Sequence, residues 1–146
     1  MGVKLKVPMV VQLRNMSCWY ASACMVNYFH EAGPRLGIPQ KWEDNHGISI
    51  PDFVVLAKNE NLQPLNAATG NFTEQQLENH LKAYGPIWCA GRWDGLPHIV
   101  VLTGVENGSV YINDPNPAKR ERVESLAWFN QKLDGHVAGC MMHRRK

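Results

Sequence analysis

Gln12-Leu-Arg-Asn-Met-Ser-Cys18-Trp19 places a lone cysteine at the apparent start of a helix, with a glutamine six residues upstream. A thiol there lies against the positive end of the helix dipole, which favours an anion. The Gln12 side chain is placed to reach round and donate to a developing oxyanion. Ser17 is read as the cap of a helix running to about His30, with Ala21, Cys24, Met25 and Tyr28 on one apolar face and Gly33-Pro34 ending it.

Outward from this helix, the stretch from Arg35 to Gly47 reads as a surface connection. A short helix is expected from Pro51, a residue suited to the first helical position, to Lys58. Thr73-Glu-Gln-Gln76 is a capping box, with Phe72 before the cap poised to staple onto Leu77, and Gly85-Pro86 closes that helix. Strand patterns follow at Ile87 to Ala90, Ile99 to Val105 and Ser109 to Asn113, the last two joined as a hairpin by Glu106-Asn-Gly108. After Asp114-Pro-Asn-Pro117, an amphipathic helix is expected from Val123 to Leu133 and a final strand from Val137 to Met142. The pattern is an α+β fold: a helical part carrying the cysteine, then an antiparallel sheet.

His98 opens one strand of the hairpin and Asp114 ends its partner, so the two ends lie close together. Nucleophilic catalysis by cysteine needs a thiolate, a base that later protonates the leaving group, and a group that holds the base in its working tautomer. Cys18, His98 and Asp114 supply those residue types, with Asn113 the alternative orienter. Trp88 and Trp93 flank a strand near this point, where they line a groove or pack in the core. No other histidine opens a strand: His30 ends a helix, His80 lies within one, and His46, His136 and His143 fall in loops or near the terminus.

Composition narrows the setting. With 146 residues, 45% of them apolar and 19% charged, the chain fits one domain over residues 1–146. A net charge of +2, from 15 basic and 13 acidic residues, does not suggest nucleic-acid binding as a main task. The basic tail from His143 to Lys146 is too short to change that. Val7 to Val11 is too brief for a signal-peptide core, and Lys6 stands where a myristoylation signal wants Ser or Thr, so no membrane partner is expected. Cys18, Cys24, Cys89 and Cys140 form neither CxxC pairs nor a disulfide framework, and no HExxH or paired-His spacing points to a metal. Neither metal nor cofactor is expected, the workplace is a reducing one, and Cys24, Cys89 and Cys140 read as small buried apolar residues.

The block from Gln12 to Trp19 resembles the active-site segment of papain-like cysteine proteases. Asn15-Met-Ser17-Cys18-Trp19 matches the second half of their C-G-[SA]-C-[WY] signature and lacks its first Cys-Gly. That first cysteine usually serves a disulfide in secreted members. Gly85-Pro-Ile-Trp88, Leu96-Pro97-His98-Ile-Val-Val-Leu-Thr-Gly-Val105 and Val110-Tyr-Ile-Asn-Asp114-Pro115 resemble compact bacterial peptidases, both the AvrRpt2-type effector proteases and the C39-like enzymes that cut leader peptides at double-glycine sites. Two departures stand out. Pro97 occupies a position where many relatives carry a small residue, and 80 residues separate Cys18 from His98, against about 130 to 150 in papain.

The resemblance implies a papain-like fold and peptide hydrolysis by Cys18, His98 and Asp114, with Gln12 in the oxyanion hole and Trp19, Trp93 and Pro97 toward the substrate. It further implies a monomeric bacterial effector or toxin domain, acting on protein in a target cell's cytoplasm, with delivery as part of a larger secreted effector. A cognate inhibitor protein covering the cleft is the expected partner. An amidase, deamidase or acyltransferase with the same residues, or a non-catalytic binding module, are the alternatives.

Overall fold

The computed structural model describes residues 2–32, 38, 41, 47–65, 71–135 and 137–145. Among the described residues, seven strands form one antiparallel sheet: β1 (Val3–Lys4), β2 (Leu62–Pro64), β3 (Ile87–Gly91), β4 (His98–Glu106), β5 (Ser109–Asp114), β6 (Arg120–Ser125) and β7 (Met141–Arg144). Their order is β2-β7-β3-β4-β5-β6, with β1 paired to the far end of β4. Helices α1 (Cys18–Phe29) and α2 (Ile50–Glu60) lie on one face, and α3 (Glu74–Tyr84) and α4 (Leu126–Lys132) on the other.

Covering both faces explains why the run from Ile99 to Leu102 is continuously apolar rather than alternating. Ile99 and Val101 join Trp19, Met25, Leu56 and Trp88 in one core; Val100 and Leu102 join Leu77, Ile87, Ile112 and Phe129 in the other. Successive residues of β4 thus serve opposite layers, as the period of two requires.

Local signals set most boundaries. Thr73 Oγ1 accepts the Gln76 N–H at 3.1 Å and Gln76 Oε1 accepts the Thr73 N–H at 2.9 Å, closing the capping box, while Phe72 and Leu77 share one core. Between β4 and β5, Asn107 and Gly108 have φ of 52° and 78°, the left-handed pair that a two-residue hairpin turn demands. Pro51 falls in the first turn of α2, which starts at Ile50.

Several expectations are corrected. Residues 123 to 125 are not helical: Arg120–Ser125 pairs with β5 over its whole length, and α4 starts only at Leu126, capped by the Ser125 hydroxyl on the Trp128 N–H. The last strand is Met141–Arg144, because Val137 to Cys140 turns back on itself through hydrogen bonds from Val137 N to Asp134 O and Cys140 N to Val137 O. Tyr28 is 41% exposed and lies off the buried face of α1. Strands β1 and β2 lie in segments for which no element was expected. The Gly33-Pro34 stop and most of the 35–47 connection lie outside the described residues.

Candidate active site

Cys18 is the first residue of α1. Ser17 stands at the cap position, yet its hydroxyl turns back: it donates to Arg14 O at 3.0 Å and accepts from Arg14 N at 3.2 Å. The hydroxyl therefore ties down the loop before the cysteine and makes no cap hydrogen bond. The Cys18 N–H, at the first helical position, has no acceptor within the helix.

His98 begins β4, opposite Gly91 of β3. Its Nε2 lies 2.6 Å from Asp114 Oδ1, a pairing that depends on an irregularity in the hairpin. Leu102 pairs with Ile112 but Gly104 with Tyr111, so Thr103 is an extra residue on β4. The bulge sets Asp114 beside Val100, on the same strand face as His98. Without it Asp114 would stand beside Val101 and leave by the other face. Asn113 does leave that way, donating from Nδ2 to Val7 O at 3.2 Å. Of the two candidate orienters, Asp114 is the one that meets the imidazole.

Asp114 is fully buried and fully engaged. Oδ1 also accepts the Asn116 N–H at 2.9 Å, and Oδ2 accepts Arg122 Nη1 at 3.0 Å. Burial pushes this carboxyl up, but the hydrogen bond from His98, then that from Asn116, then the charges of His98 and the Arg122 contact hold it below the ordinary aspartate range. For His98, burial disfavours the cation. Hydrogen bonds to Asp114 and to Cys18, with the charge on each, outweigh burial and push the imidazole up to about 10. Because Nε2 serves Asp114, the ring nitrogen left for Cys18 is Nδ1. The arrangement is that of an imidazolium held between a carboxylate and a sulfur.

A cleft of about 200 Å³ opens at this point, lined by Cys18 and His98 together with Asn15, Met16, Trp19, Phe53, Gly91, Pro97 and Asp134. A larger groove of about 770 Å³ runs between residues 4–8 and strands β5 and β6, and includes neither Cys18 nor His98. Pro97 is exposed on the lip of the cleft. Trp19 lines the cleft only from below: it has no exposed surface, gives its Nε1–H to Met16 O at 2.9 Å, and receives the Trp88 Nε1–H on its own carbonyl at 3.1 Å. Trp93 lies elsewhere. It is 1% exposed and packs on Trp128 and Phe129 with ring centroids 5.3 and 5.4 Å away, so the structure gives it a core position rather than a substrate-facing one.

Gln12 sits in the loop next to the end of β5, its N–H bonded to Pro115 O at 2.8 Å. Its side-chain Nε2 donates to Arg14 O at 3.0 Å and Asn15 O at 2.9 Å, inside the loop that leads to Cys18. Among the other histidines, His80 and His143 each stack on Tyr84, while His46 and His136 lie outside the described residues. All four cysteines are free; Cys24 and Cys89 are buried and Cys140 partly so. Among the described residues no group of three or more His, Cys, Asp or Glu is arranged to hold a metal, and no helix is long and apolar enough to cross a membrane.

Arg122 was not legible as a site residue. Its signal was the alternation Arg120, Arg122, Glu124 at a period of two, which fits a strand running into the start of the helix expected from Val123.

The family model described as papain-like cysteine protease AvrRpt2 matches residues 1–134. The chain belongs to this family of cysteine proteases. Solved structures give the same fold. The peptidase domain of Streptococcus ComA, a bi-functional ABC transporter involved in quorum sensing, superposes with a TM-score of 0.65 at 17% identity, over 96% of this chain and 100% of that one. A double-glycine motif protease from an AMS/PCAT transporter, solved with its leader peptide, gives 0.63 at 20% identity, over 97% and 91%. The peptidase domain of Streptococcus mutans ComA, in complex with a small-molecule inhibitor, gives 0.54 at 18% identity, over 92% and 95%. The expected α+β papain-like fold and cysteine-protease class are therefore met.

Proposed function

We propose that this cysteine protease is an endopeptidase that works through Cys18, His98 and Asp114. The observation that carries the reading is the His98 imidazole, held at 2.6 Å by a buried carboxylate at the mouth of the cleft where Cys18 begins its helix. The Cys18 sulfur attacks the scissile carbonyl carbon, and the electron pair of the C=O bond moves onto oxygen. As the C–N bond breaks, His98 gives its proton to the leaving amine, and a thioester remains on Cys18. Water then attacks that thioester, His98 takes a proton from it, and the acid and the free sulfur are released.

The Cys18 N–H serves the oxyanion. Gln12 joins it by exchanging one of its two carbonyl partners, Arg14 or Asn15, for the developing charge. The biological setting we favour is a bacterial effector or toxin domain acting on protein within a target cell, with an inhibitor protein covering the cleft in the producer.

Incubation of a cell proteome with the wild-type protein and with Cys18→Ala, followed by mass spectrometry of protein termini, tests this reading. New chain termini are expected from the wild type alone. The same termini from Cys18→Ala would overturn the mechanism, and altered Gln side chains without new termini would make the enzyme a deamidase.

A further inference from the structure

The two oxygens of Asp114 have separate partners, and one of them points to a fourth residue. Oδ1 takes His98 Nε2 and the Asn116 N–H, while Oδ2 takes Arg122 Nη1 at 3.0 Å. Arg122 stands on β6 opposite Ile112, with its side chain only 10% exposed. All five of its N–H donors are committed. Nη1 and Nη2 form a fork on Asp94 at 2.9 and 3.0 Å, Nη2 and Nε both reach Glu124 Oε2 at 2.9 and 3.2 Å, and the remaining Nη1 hydrogen goes to Asp114. The guanidinium also sits 5.1 Å over the Trp128 ring.

Asp94 belongs to the connection that leads from β3 into His98. One rigid guanidinium therefore joins the carboxylate that holds the imidazole to the loop that delivers it. A planar fork with every donor used fixes its partners in angle as well as distance, which a lysine cannot do.

We infer that Arg122 is a positioning residue for the His98–Asp114 pair, locking the Asp114 carboxylate so that Oδ1 faces His98 Nε2. The inference rests on the catalytic reading of His98. Without the guanidinium, Oδ2 becomes a buried oxygen with no donor, so Asp114 takes a proton or turns. His98 then loses its anionic partner. Around the imidazole stand Cys18 from α1, Asp114 from β5, Asp94 from the preceding loop and Asp134 across the cleft, with Arg122 reaching it through Asp114 and Lys119 facing Asp94. Simple removal of a cation from this set would let His98 hold its proton more tightly, so the two accounts differ in sign.

Titration of the His98 ring by NMR in isotopically labelled protein reads that sign without any substrate. In Arg122→Gln the His98 midpoint should fall by at least about one pH unit, in Arg122→Lys by less, and in Asp114→Asn comparably. Adding Arg122→Gln to Asp114→Asn should lower it no further. A midpoint that stays or rises in Arg122→Gln, or a further fall in the double variant, would overturn the inference. Should Arg122→Gln fail to fold, Arg122→Lys decides by the same sign. The Cys18→Ala comparison tests catalysis independently, so either claim can fail while the other stands.

Discussion

At the scale of residues, the chemistry of the site depends on a partly buried histidine that keeps its proton. Burial alone would strip it. Asp114 and Cys18 reverse that, and their contacts set a pH window. The folded His98 is raised from its ordinary 6.5 to about 10. The stability gained from protonating it is therefore fully present below 6.5 and is lost as pH rises through about 10. Asp114 has the opposite sign: its folded value is depressed, so its contribution holds above the ordinary carboxylate range and is lost as pH falls through the folded value. The melting temperature of the wild type should exceed that of His98→Ala most near pH 6, and the gap should narrow toward pH 10. A gap that widens over that interval would show that His98 is not held as a cation. The chemical identity of this pair was readable from the sequence, since His98 and Asp114 stand at matched ends of a hairpin. The bulge at Thr103, which decides that Asp114 and not Asn113 meets the ring, was not, because a strand buried on both faces has no alternation from which a one-residue register shift could be read.

At the scale of elements, the site is a junction of strand ends, and Gly91 has no room for a side chain. Gly91 pairs with His98 across β3 and β4. A Cβ there would come within 2.7 Å of the Lys132 carbonyl and of the Trp93 ring, and the carbonyl is backbone that has little room to yield. Gly91→Ala should cost about 1 to 3 kcal/mol of stability and lower activity together with it, read by urea unfolding and proteome cleavage. Wild-type values in both would mean that the packing of Trp93 against β3 does not position His98. The helix starts at Pro51 and Thr73 and the central strands β3, β4 and β5 were more legible than the outer strands. Thr73 with Gln76 and Pro51 mark the helix starts by chemistry that acts within one turn, whereas β1 and β2 owe their conformation to pairing with β4 and β7, partners far along the chain that no local pattern shows. Val123 to Ser125 was read as the start of a helix, while Arg120 to Arg122 was given no element, and Arg122 was missed.

At the scale of the whole molecule, the sheet is the jig that brings two distant segments together. Trp88 in the middle of β3 donates to the carbonyl of Trp19, so the helix that begins with Cys18 is fastened to the strand beside His98. The second layer of helices buries the opposite face and leaves the junction open as a cleft. This arrangement singles out Cys18 among four thiols. Burial, with neighbouring carboxylates or thiols, pushes Cys24 up to about 12, Cys140 up to about 11 and Cys89 well above its ordinary value. The measurement that bears most directly on the central claim is the rate of iodoacetamide alkylation of each cysteine at pH 6, followed by peptide mass spectrometry in the wild type and in His98→Ala. Cys18 should react on the order of 10²-fold faster than Cys24, Cys89 or Cys140, and lose most of that advantage in His98→Ala. Equal labelling of the four thiols, or a Cys18 rate indifferent to the loss of His98, would contradict the account.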